Sequence, residues 1–273
     1  MVAFTCKDHY DIDDLLRIME LLRGEGGCVW DREQDHHTIR NNFIEETYEA
    51  VEAIDRDDPV LLREELGDVL LQVVFHARME EEAGRFTFSD VCDGICKKLV
   101  YRHPHVFGDV AVENSGQVLE NWDRLKKAEK HQETAASTLE AVSRSLPALV
   151  RAAKVQKRAG KVGFEYPKLS DALADLRSEI AELEEALSQE DESGILEEVG
   201  DVLFSAANVS RLVKSDPEEA LTYSTDKFVR RFASMEQAAM KHGIELTGCT
   251  IEELNDLWQE AKKEEKSIGG ILK

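Results

Sequence analysis

Apolar side chains recur every three or four residues along most of the chain, with charged residues between them. This spacing is typical of α-helices that bury one face. In the first half Thr38 is predicted as an N-cap, and Asp58 with Pro59 is predicted to open the helix that follows. The predicted helices are Ile12–Arg23, Thr38 to about Arg56, 59 to about 82, Phe88–Arg102 and Gln117–Lys130, with an irregular stretch over 24–37.

The second half repeats the order of the first. Pro147 is predicted to open a helix, and residues 161–166 stand where 27–32 stood. Thr250 and Glu253 have the spacing of a capping box for the final helix. A polar stretch rich in small residues separates the halves. The sequence therefore predicts an all-α fold of two tandem copies of one helical domain, over 1–132 and 147–273, joined by a linker over 133–146.

A four-carboxylate pattern occurs in both halves. Its members are spaced three, sixteen and three residues apart, and the two copies lie 133 residues apart: Glu46, Glu49, Glu65 and Asp68, then Glu179, Glu182, Glu198 and Asp201. In each copy two predicted helices carry one acidic pair at i, i+3. Such pairs face the same way on a helix, so the four carboxylates are expected to converge.

Converging carboxylates repel one another, and each raises the pKa of its neighbours. A hard divalent cation relieves this repulsion, and Mg²⁺ is commonly held by a few carboxylates together with substrate phosphates. A solvated acidic face is the alternative for one isolated pair, but two copies at fixed spacing favour a metal site. Gly67 and Gly200 lie beside Asp68 and Asp201, inside helices, where close approach of a neighbouring helix or a ligand would explain them.

Basic and aromatic pairs also recur after the acidic helices, each at i, i+4. The pairs are Lys98 with Arg102, Lys227 with Arg231, Trp122 with Lys126, and Trp258 with Lys262. Taken singly, each pair fits a solvated helix face or a core tryptophan. Their joint recurrence favours a ligand site in which cations hold phosphate and a tryptophan stacks on a base.

Composition narrows the function further. The chain has 34 basic and 56 acidic residues, a net charge of −22, which argues against a nucleic-acid or anionic-membrane surface. The cysteines show neither disulfide nor zinc spacing, and the sequence has no secretory signal pattern and no run long enough for a membrane span. A cytoplasmic protein is expected. The phosphate-binding GxxxxGK loop, the GxGxxG motif and the HD dipeptide are absent, and the histidines are interpreted as capping or packing residues.

These motifs together resemble those of a known family. The glutamate-rich EExxE followed by ExxD, with "EETYEAVEAI", "LREELGDVLLQVVFHARM" and "KFVRRF", is similar to MazG, the nucleoside triphosphate pyrophosphohydrolase, over nearly the whole chain. The resemblance implies an all-α NTP pyrophosphatase fold and a homodimer. It implies dependence on Mg²⁺, with Mn²⁺ as a substitute. It also implies hydrolysis of NTPs to NMP and pyrophosphate with broad base tolerance and a role in nucleotide-pool housekeeping.

The resemblance implies that the metal is bound by Glu179, Glu182, Glu198 and Asp201, which lie in the copy that it implies to be catalytic. It carries phosphate contact onto Lys227 and Arg231, with Lys262 as a further candidate, and base stacking onto Trp258. One position departs from the pattern, because Ser178 stands where the first half has Glu45. If that acid matters, the intact set Glu45, Glu46, Glu49, Glu65 and Asp68 becomes the stronger site, so both sites are kept.

The expected chemistry is metal-assisted attack of water on the phosphate chain. Attack at the α-phosphorus is implied by the resemblance alone. Two alternatives stay open. One is a helical adaptor that binds nucleotide or a protein partner without hydrolysis, and the other is a dedicated dUTP or dCTP hydrolase.

Overall fold

The computed structural model describes residues 4–129 and 134–269, and within these ranges it contains helices, one short 3₁₀ turn and connecting segments but no strand. The predicted all-α class is confirmed. The chain divides into two compact units, Met1–Lys126 and Lys127–Lys273. Each is described by itself below, as the N-terminal and the C-terminal unit.

The N-terminal unit is built on a hairpin of two long helices, α3 and α4, against which α1 packs. Its apolar core contains Met19 of α1, Ile39, and Val74, Phe75 and Met79 of α4. The helices described from this half, of which the last crosses the division between units, are α1 (Ile12–Arg23), α2 (Val29–Glu33), α3 (Arg40–Asp55), α4 (Pro59–Glu82), α5 (Phe88–Arg102), α6 (Pro104–Phe107) and α7 (Ser115–Glu129).

The C-terminal unit repeats this hairpin with α10 and α11, which make the most extensive helix pair of the chain. A second apolar cluster joins α12 to α13 through Met235, Ala239, Leu257 and Ala261. The elements are α8 (Ala135–Glu140), α9 (Ala148–Gly160), α10 (Leu169–Ser188), α11 (Glu192–Leu212), α12 (Pro217–Lys241), the 3₁₀ turn Leu246–Gly248 and α13 (Ile251–Gly269).

Side-chain caps set several helix ends, as predicted. The Asp58 carboxylate accepts from the backbone N–H groups of residues 60 and 61. Thr250 and Glu253 form the expected capping box. The prediction of Thr38 as an N-cap is wrong, because α3 begins at Arg40. The Asp35 carboxylate accepts from the N–H groups of residues 37 and 38, so Thr38 belongs to a turn that Asp35 closes.

Short helices are the main departure from the sequence-based picture. The stretch predicted as irregular contains α2, and α6 begins at Pro104 where a loop was expected. Within the segment predicted as a linker over 133–146, α8 forms a helix that packs on α9 of the C-terminal unit. The positions 130–133, which include the predicted end of the last N-terminal helix and the start of the linker, lie outside the described residues.

The two helical glycines have open surroundings. A Cβ built on Gly67 or Gly200 would meet no described atom within 4 Å outside the local helix. The expectation that a neighbouring helix approaches these glycines is therefore wrong for the described chain, whereas approach of a ligand or of a second molecule is untested. In each unit the glycine lies beside a predicted metal-binding aspartate.

We expect Gly200→Ala to raise the free energy of unfolding by about 0.5–1 kcal/mol, because alanine restricts the unfolded chain and fits the helix without a clash. Gly194→Ala is the control, since its Cβ would lie 2.7 Å from Oδ2 of Asp191, whose other carboxylate oxygen caps the helix, and it should lower stability. Urea denaturation measures both. A loss of stability in Gly200→Ala would mean that another molecule packs closely at this position.

Candidate metal centres in two helical hairpins

Each hairpin brings three carboxylates together. In the N-terminal unit Glu46 and Glu49 lie one turn apart on α3, and Glu65 faces them from α4; one oxygen of each lies within 4.8 Å of the others. In the C-terminal unit Glu179 and Glu182 of α10 and Glu198 of α11 are grouped in the same way. The sequence predicted four converging carboxylates in each copy, but Asp68 and Asp201 fall outside these groups.

Two carboxylates of the N-terminal cluster, those of Glu46 and Glu65, are costly to ionise. Burial raises the pKa of Glu46, and the charges of Asp68, Glu49 and Glu45 raise it further. Burial likewise raises the pKa of Glu65, with added repulsion from Glu49 and Asp68. Asp68 and Glu45 therefore act on the cluster through their charge, although their oxygens are not part of the three-residue group.

The C-terminal cluster has the same electrostatics. Burial raises the pKa of Glu179, followed by the charges of Glu182, Asp175, Asp201 and Glu198. Burial also raises the pKa of Glu198, followed by Glu182 and Asp201. The Oε2 atom of Glu198 is buried and has no hydrogen-bond partner among the described residues.

This donor set fits a divalent cation. Like charges within 4.8 Å of one another, partly removed from water, are unfavourable unless positive charge compensates them. Oxygen atoms of carboxylates are the ligands that Mg²⁺ and Mn²⁺ take in proteins. The unpartnered Glu198 oxygen is an acceptor that a cation would satisfy.

The C-terminal cluster departs from the N-terminal one at Ser178. Its hydroxyl donates a hydrogen bond of 3.1 Å to Oε1 of Glu182, where the first half has the carboxylate of Glu45. Ser178 therefore replaces a negative charge with a hydrogen-bond donor to a cluster oxygen. The change lowers the repulsion in the C-terminal cluster while its three carboxylates stay together.

Asp175 was missed at the sequence level. It lies one helical turn before Glu179, and its carboxylate accepts from the Tyr166 hydroxyl at 2.7 Å and the Ser205 hydroxyl at 2.8 Å. Its charge contributes to the raised pKa of Glu179. The i, i+4 spacing from Glu179 could have identified it. Its counterpart in the first half is Asn42, however, so Asp175 is not part of the repeated acidic pattern.

The predicted phosphate-binding residues of the C-terminal half are engaged elsewhere. The Nζ of Lys227 lies 5.4 Å from the centre of the Tyr223 ring, and Nε of Arg231 lies 2.5 Å from Oε2 of Glu265. Among the described interactions, none joins Lys227 or Arg231 to the three clustered carboxylates. The structure therefore places both cations on α12 without bringing them into the carboxylate cluster.

Trp258 packs within the apolar cluster of α12 and α13. Its ring centre lies 5.0 Å from that of Phe228, and both side chains line an apolar cavity with Ile251 and Leu254. The half-buried Lys262 lies one turn further along α13. The ring of Trp258 is partly accessible, and its ring contact among the described residues is with Phe228 rather than with the clustered carboxylates.

The corresponding residues of the N-terminal half differ in exposure. Lys98 is exposed on α5, whereas Arg102 is buried and has an interaction of its own. Trp122 is partly exposed on α7, its ring centre 6.4 Å from that of His103, and Lys126 is half-buried. The repeated spacing in sequence therefore does not give the two halves the same surroundings for these side chains.

A histidine pair that the sequence analysis interpreted as packing residues forms a hydrogen-bonded group on α4. Nδ1 of His36 lies 2.7 Å from Nδ1 of His76, and Nε2 of His36 lies 2.5 Å from Oε1 of Glu80. Arg85 pairs with the same carboxylate, and its hydrogen bond is the largest of the effects that lower the pKa of Glu80 to about 2. The group fastens the segment before α3 onto α4, which is a structural role.

The fold and the clusters together define an all-α protein with two candidate metal centres, each built from i, i+3 carboxylates on a helical hairpin. The family model described as the MazG nucleotide pyrophosphohydrolase domain matches this chain twice, over residues 34–107 and 168–234, just over half of its 273 residues. Each match contains one complete hairpin with its cluster.

Individual relatives agree with the family match. A nucleoside triphosphate pyrophosphohydrolase of Escherichia coli (strain K12) is 44% identical over 93% of this chain and 98% of its own length. The nucleoside triphosphate pyrophosphohydrolase/pyrophosphatase MazG of Thermotoga maritima is 42% identical over 92% of this chain and 95% of its own. The uncharacterized protein YabN of Bacillus subtilis is 49% identical over 94% of this chain, which spans only 53% of that relative.

The chain belongs to the MazG nucleotide pyrophosphohydrolase family, as its resemblance implied, and its class is therefore that of a hydrolase. Among the described helices, none combines the length and the apolar character that crossing a membrane requires.

We expect Glu198→Gln to stabilise the metal-free protein at pH 8, by about 1–3 °C in Tm. The pKa of Glu198 is raised in the folded state, so its charged form costs stability at high pH. As the pH falls through the raised pKa of Glu198 the wild-type carboxyl takes up a proton, so the advantage of glutamine should be smaller at pH 5 than at pH 8. Thermal unfolding in a chelator at both pH values measures this.

Glu184→Gln, at an exposed acid of α10 outside the cluster, is the control and should show little difference between the two pH values. Added Mg²⁺ should reverse the order at pH 8 by stabilising the wild type more than Glu198→Gln. An equal advantage for glutamine at pH 5 and pH 8 would contradict the proposed repulsion.

Proposed function

We propose that this protein hydrolyses nucleoside triphosphates to nucleoside monophosphates and pyrophosphate, with broad base tolerance, in the service of nucleotide-pool housekeeping. The observation that carries the proposal is the pair of three-carboxylate clusters, each inside a match to the MazG family model. Relatives named nucleoside triphosphate pyrophosphohydrolase, similar over nearly their whole length, support it.

The clusters would hold Mg²⁺, with Mn²⁺ as a substitute. Glu179, Glu182 and Glu198 would be the ligands in the C-terminal unit, with Asp201 close enough to add charge. Glu46, Glu49 and Glu65, with Asp68 and Glu45 nearby, would be their counterparts. Bound there, a divalent ion supplies charge neutralisation for the phosphate chain and acidifies bound water.

In the proposed reaction a water oxygen forms a bond to the α-phosphorus while the bond from that phosphorus to the α–β bridging oxygen breaks. Pyrophosphate leaves with the bonding electron pair, and the water proton is released to solvent. The protein's own contribution is to position the triphosphate and to hold opposite charges on either side of it, without a covalent intermediate.

Lys227 and Arg231 are the proposed phosphate-binding cations, with Lys262 one turn beyond Trp258. Arg231 is paired with Glu265 in the ligand-free chain, so phosphate would have to displace that carboxylate. Two oxygens of one phosphate can accept from the guanidinium in the same bidentate way as the two oxygens of a carboxylate, so phosphate can take the place of Glu265. Base stacking on Trp258 stays a prediction, and so do the roles of Lys98, Arg102, Trp122 and Lys126 in the N-terminal half.

We expect Glu198→Gln with Asp201→Asn to reduce pyrophosphate release by at least about 100-fold if the C-terminal centre works alone, because electrostatic stabilisation is lost. The matched pair is Glu65→Gln with Asp68→Asn. ATP and Mg²⁺ in ¹⁸O-labelled water give the readout, with label expected only in AMP.

Label confined to pyrophosphate would contradict attack at the α-phosphorus. Full activity in the C-terminal double variant, with loss in the N-terminal one, would move the chemistry to Glu65 and Asp68. If the wild type binds nucleotide with Mg²⁺ but releases no pyrophosphate, the alternative of a nucleotide-binding adaptor is correct.

We further propose a homodimer in the cytoplasm. The α11 face beside Gly200 carries Leu196, Val199 and Leu203 at i, i+3 and i+7, with exposed fractions of 78%, 40% and 54%. On α4 the counterparts of the last two, Leu66 and Leu70, are also exposed. Contiguous exposed apolar rows of this kind mark protein–protein contacts. The five free cysteines are consistent with a reducing compartment.

Leu203→Asp is expected to shift the protein from dimer to monomer in sedimentation velocity at micromolar concentration, because it places a charge in the proposed contact. Val106→Asp is the control, since Val106 is equally exposed but lies on the short helix α6. A wild type that sediments as a monomer would contradict the proposed homodimer.

A further inference from the structure

The two carboxylate clusters have different charged neighbours, although three acids are grouped in both. In the N-terminal unit Glu45 directly precedes Glu46, and its charge contributes to the raised pKa of Glu46. In the C-terminal unit the corresponding position is Ser178, which carries no charge. A cation held by the C-terminal cluster would therefore lack the attraction of one carboxylate, unless another acid supplies it.

A carboxylate that the first half lacks stands one helical turn before this cluster. Asp175 lies on α10 four residues before Glu179, a rise of about 6 Å along the helix, and Asn42 occupies the corresponding position on α3. Residues four apart on a helix share a face, so Asp175 lies on the same side of α10 as Glu179. The acid that is missing at position 178 is thus present one turn before Glu179.

Two hydroxyl groups hold the Asp175 carboxylate in place. Its Oδ1 accepts a hydrogen bond from the Tyr166 hydroxyl at 2.7 Å, and its Oδ2 accepts one from the Ser205 hydroxyl at 2.8 Å. Ser205 belongs to α11 and follows Asp201 by one turn. All three side chains line a cavity of the C-terminal unit that Asn208 also lines. Since the bond to Ser205 crosses from α10 to α11, the carboxylate is kept between the two helices that carry the cluster.

The charge of Asp175 acts on the cluster. Burial raises the pKa of Glu179 most, and the charges of Glu182 and then of Asp175 raise it further. Glu182 belongs to the three-carboxylate group, whereas Asp175 lies outside it. An acid that repels the Glu179 carboxylate also attracts a cation bound to that carboxylate, since both effects come from the same electric field.

We propose that Asp175 is a positioning residue of the C-terminal metal centre, which supplies the additional negative charge that Glu45 supplies in the N-terminal unit and so strengthens cation binding. The inference rests on the proposed function, since it concerns the divalent ion held by Glu179, Glu182 and Glu198. Asp175 lies outside the three-carboxylate group, so it acts on the ion through its charge and not as a ligand. The two units thus obtain the same charge from acids at different positions.

Asp175→Asn tests this charge, because asparagine has nearly the same shape and can still bond to both hydroxyl groups. The reference protein is the full-length chain with Glu65→Gln and Asp68→Asn, so that the C-terminal centre is measured. We expect Asp175→Asn to weaken Mn²⁺ binding about 3–10-fold at ~0.1 M salt, where charges act over about 10 Å. The loss should fall below about twofold at ~1 M salt, where they act over about 3 Å. Electron paramagnetic resonance of unbound Mn²⁺ measures the affinity.

Ser178→Glu is the rescue variant, because it places a charge where the first half has Glu45. The Ser178 hydroxyl donates to Oε1 of Glu182, so a side chain at this position lies beside the cluster. Added to Asp175→Asn, it should return the Mn²⁺ affinity at ~0.1 M salt to within about twofold of the reference protein. Asp171→Asn is the matched control, the same change one turn further from the cluster, and should weaken binding less than about twofold.

An unchanged Mn²⁺ affinity in Asp175→Asn would overturn the proposal. A loss of affinity that persists at high salt, or that Ser178→Glu does not restore, would also overturn it, because Asp175 would then act through packing. A reference protein that binds no Mn²⁺ would overturn it together with the C-terminal metal centre. Mn²⁺ binding that depends on Asp175, in a chain that releases no pyrophosphate from ATP, would retain the inference and contradict hydrolysis instead.

Discussion

The repulsion between three carboxylates held on two packed helices is the constraint on which the structure depends. Each hairpin keeps its three acids within 4.8 Å of one another although burial raises the pKa of two of them. Packing of the surrounding helices offsets the electrostatic cost of holding these carboxylates together. In the N-terminal unit this packing is chiefly that of α1, α3 and α4. Binding of positive charge would relieve this repulsion.

Duplication has kept this cluster and changed its neighbours. Ser178 replaces the charge of Glu45 with a hydroxyl that donates to Glu182, while Asp175 stands where the first half has Asn42 and places a charge one turn before Glu179. Asn208 replaces Phe75, and a packed core on α4 becomes a cavity wall on α11. These differences lie beside the cluster in the C-terminal unit. Three carboxylates stay grouped in both halves.

Prediction from sequence worked where the determinants are local. The limits of α1 and α5 match those predicted from periodicity and capping, because amphipathic spacing and caps act within a few residues. It failed at α2, α6 and α8, since helices of four to six residues are too short to be stable alone and form through tertiary contacts. Thr38 is not the N-cap because its own backbone N–H donates to the carboxylate of Asp35, three residues earlier, so that Thr38 lies in a turn before the helix.

The sequence by itself determined the all-α class, the duplication and which acids share a helix face, because a fixed i, i+3 spacing has one geometric meaning on a helix. Only the tertiary structure decided that three carboxylates of each four form a close group and that Arg231 is paired with Glu265. These outcomes depend on how helices distant in sequence pack. Volume and distance between such helices are not encoded in any local pattern.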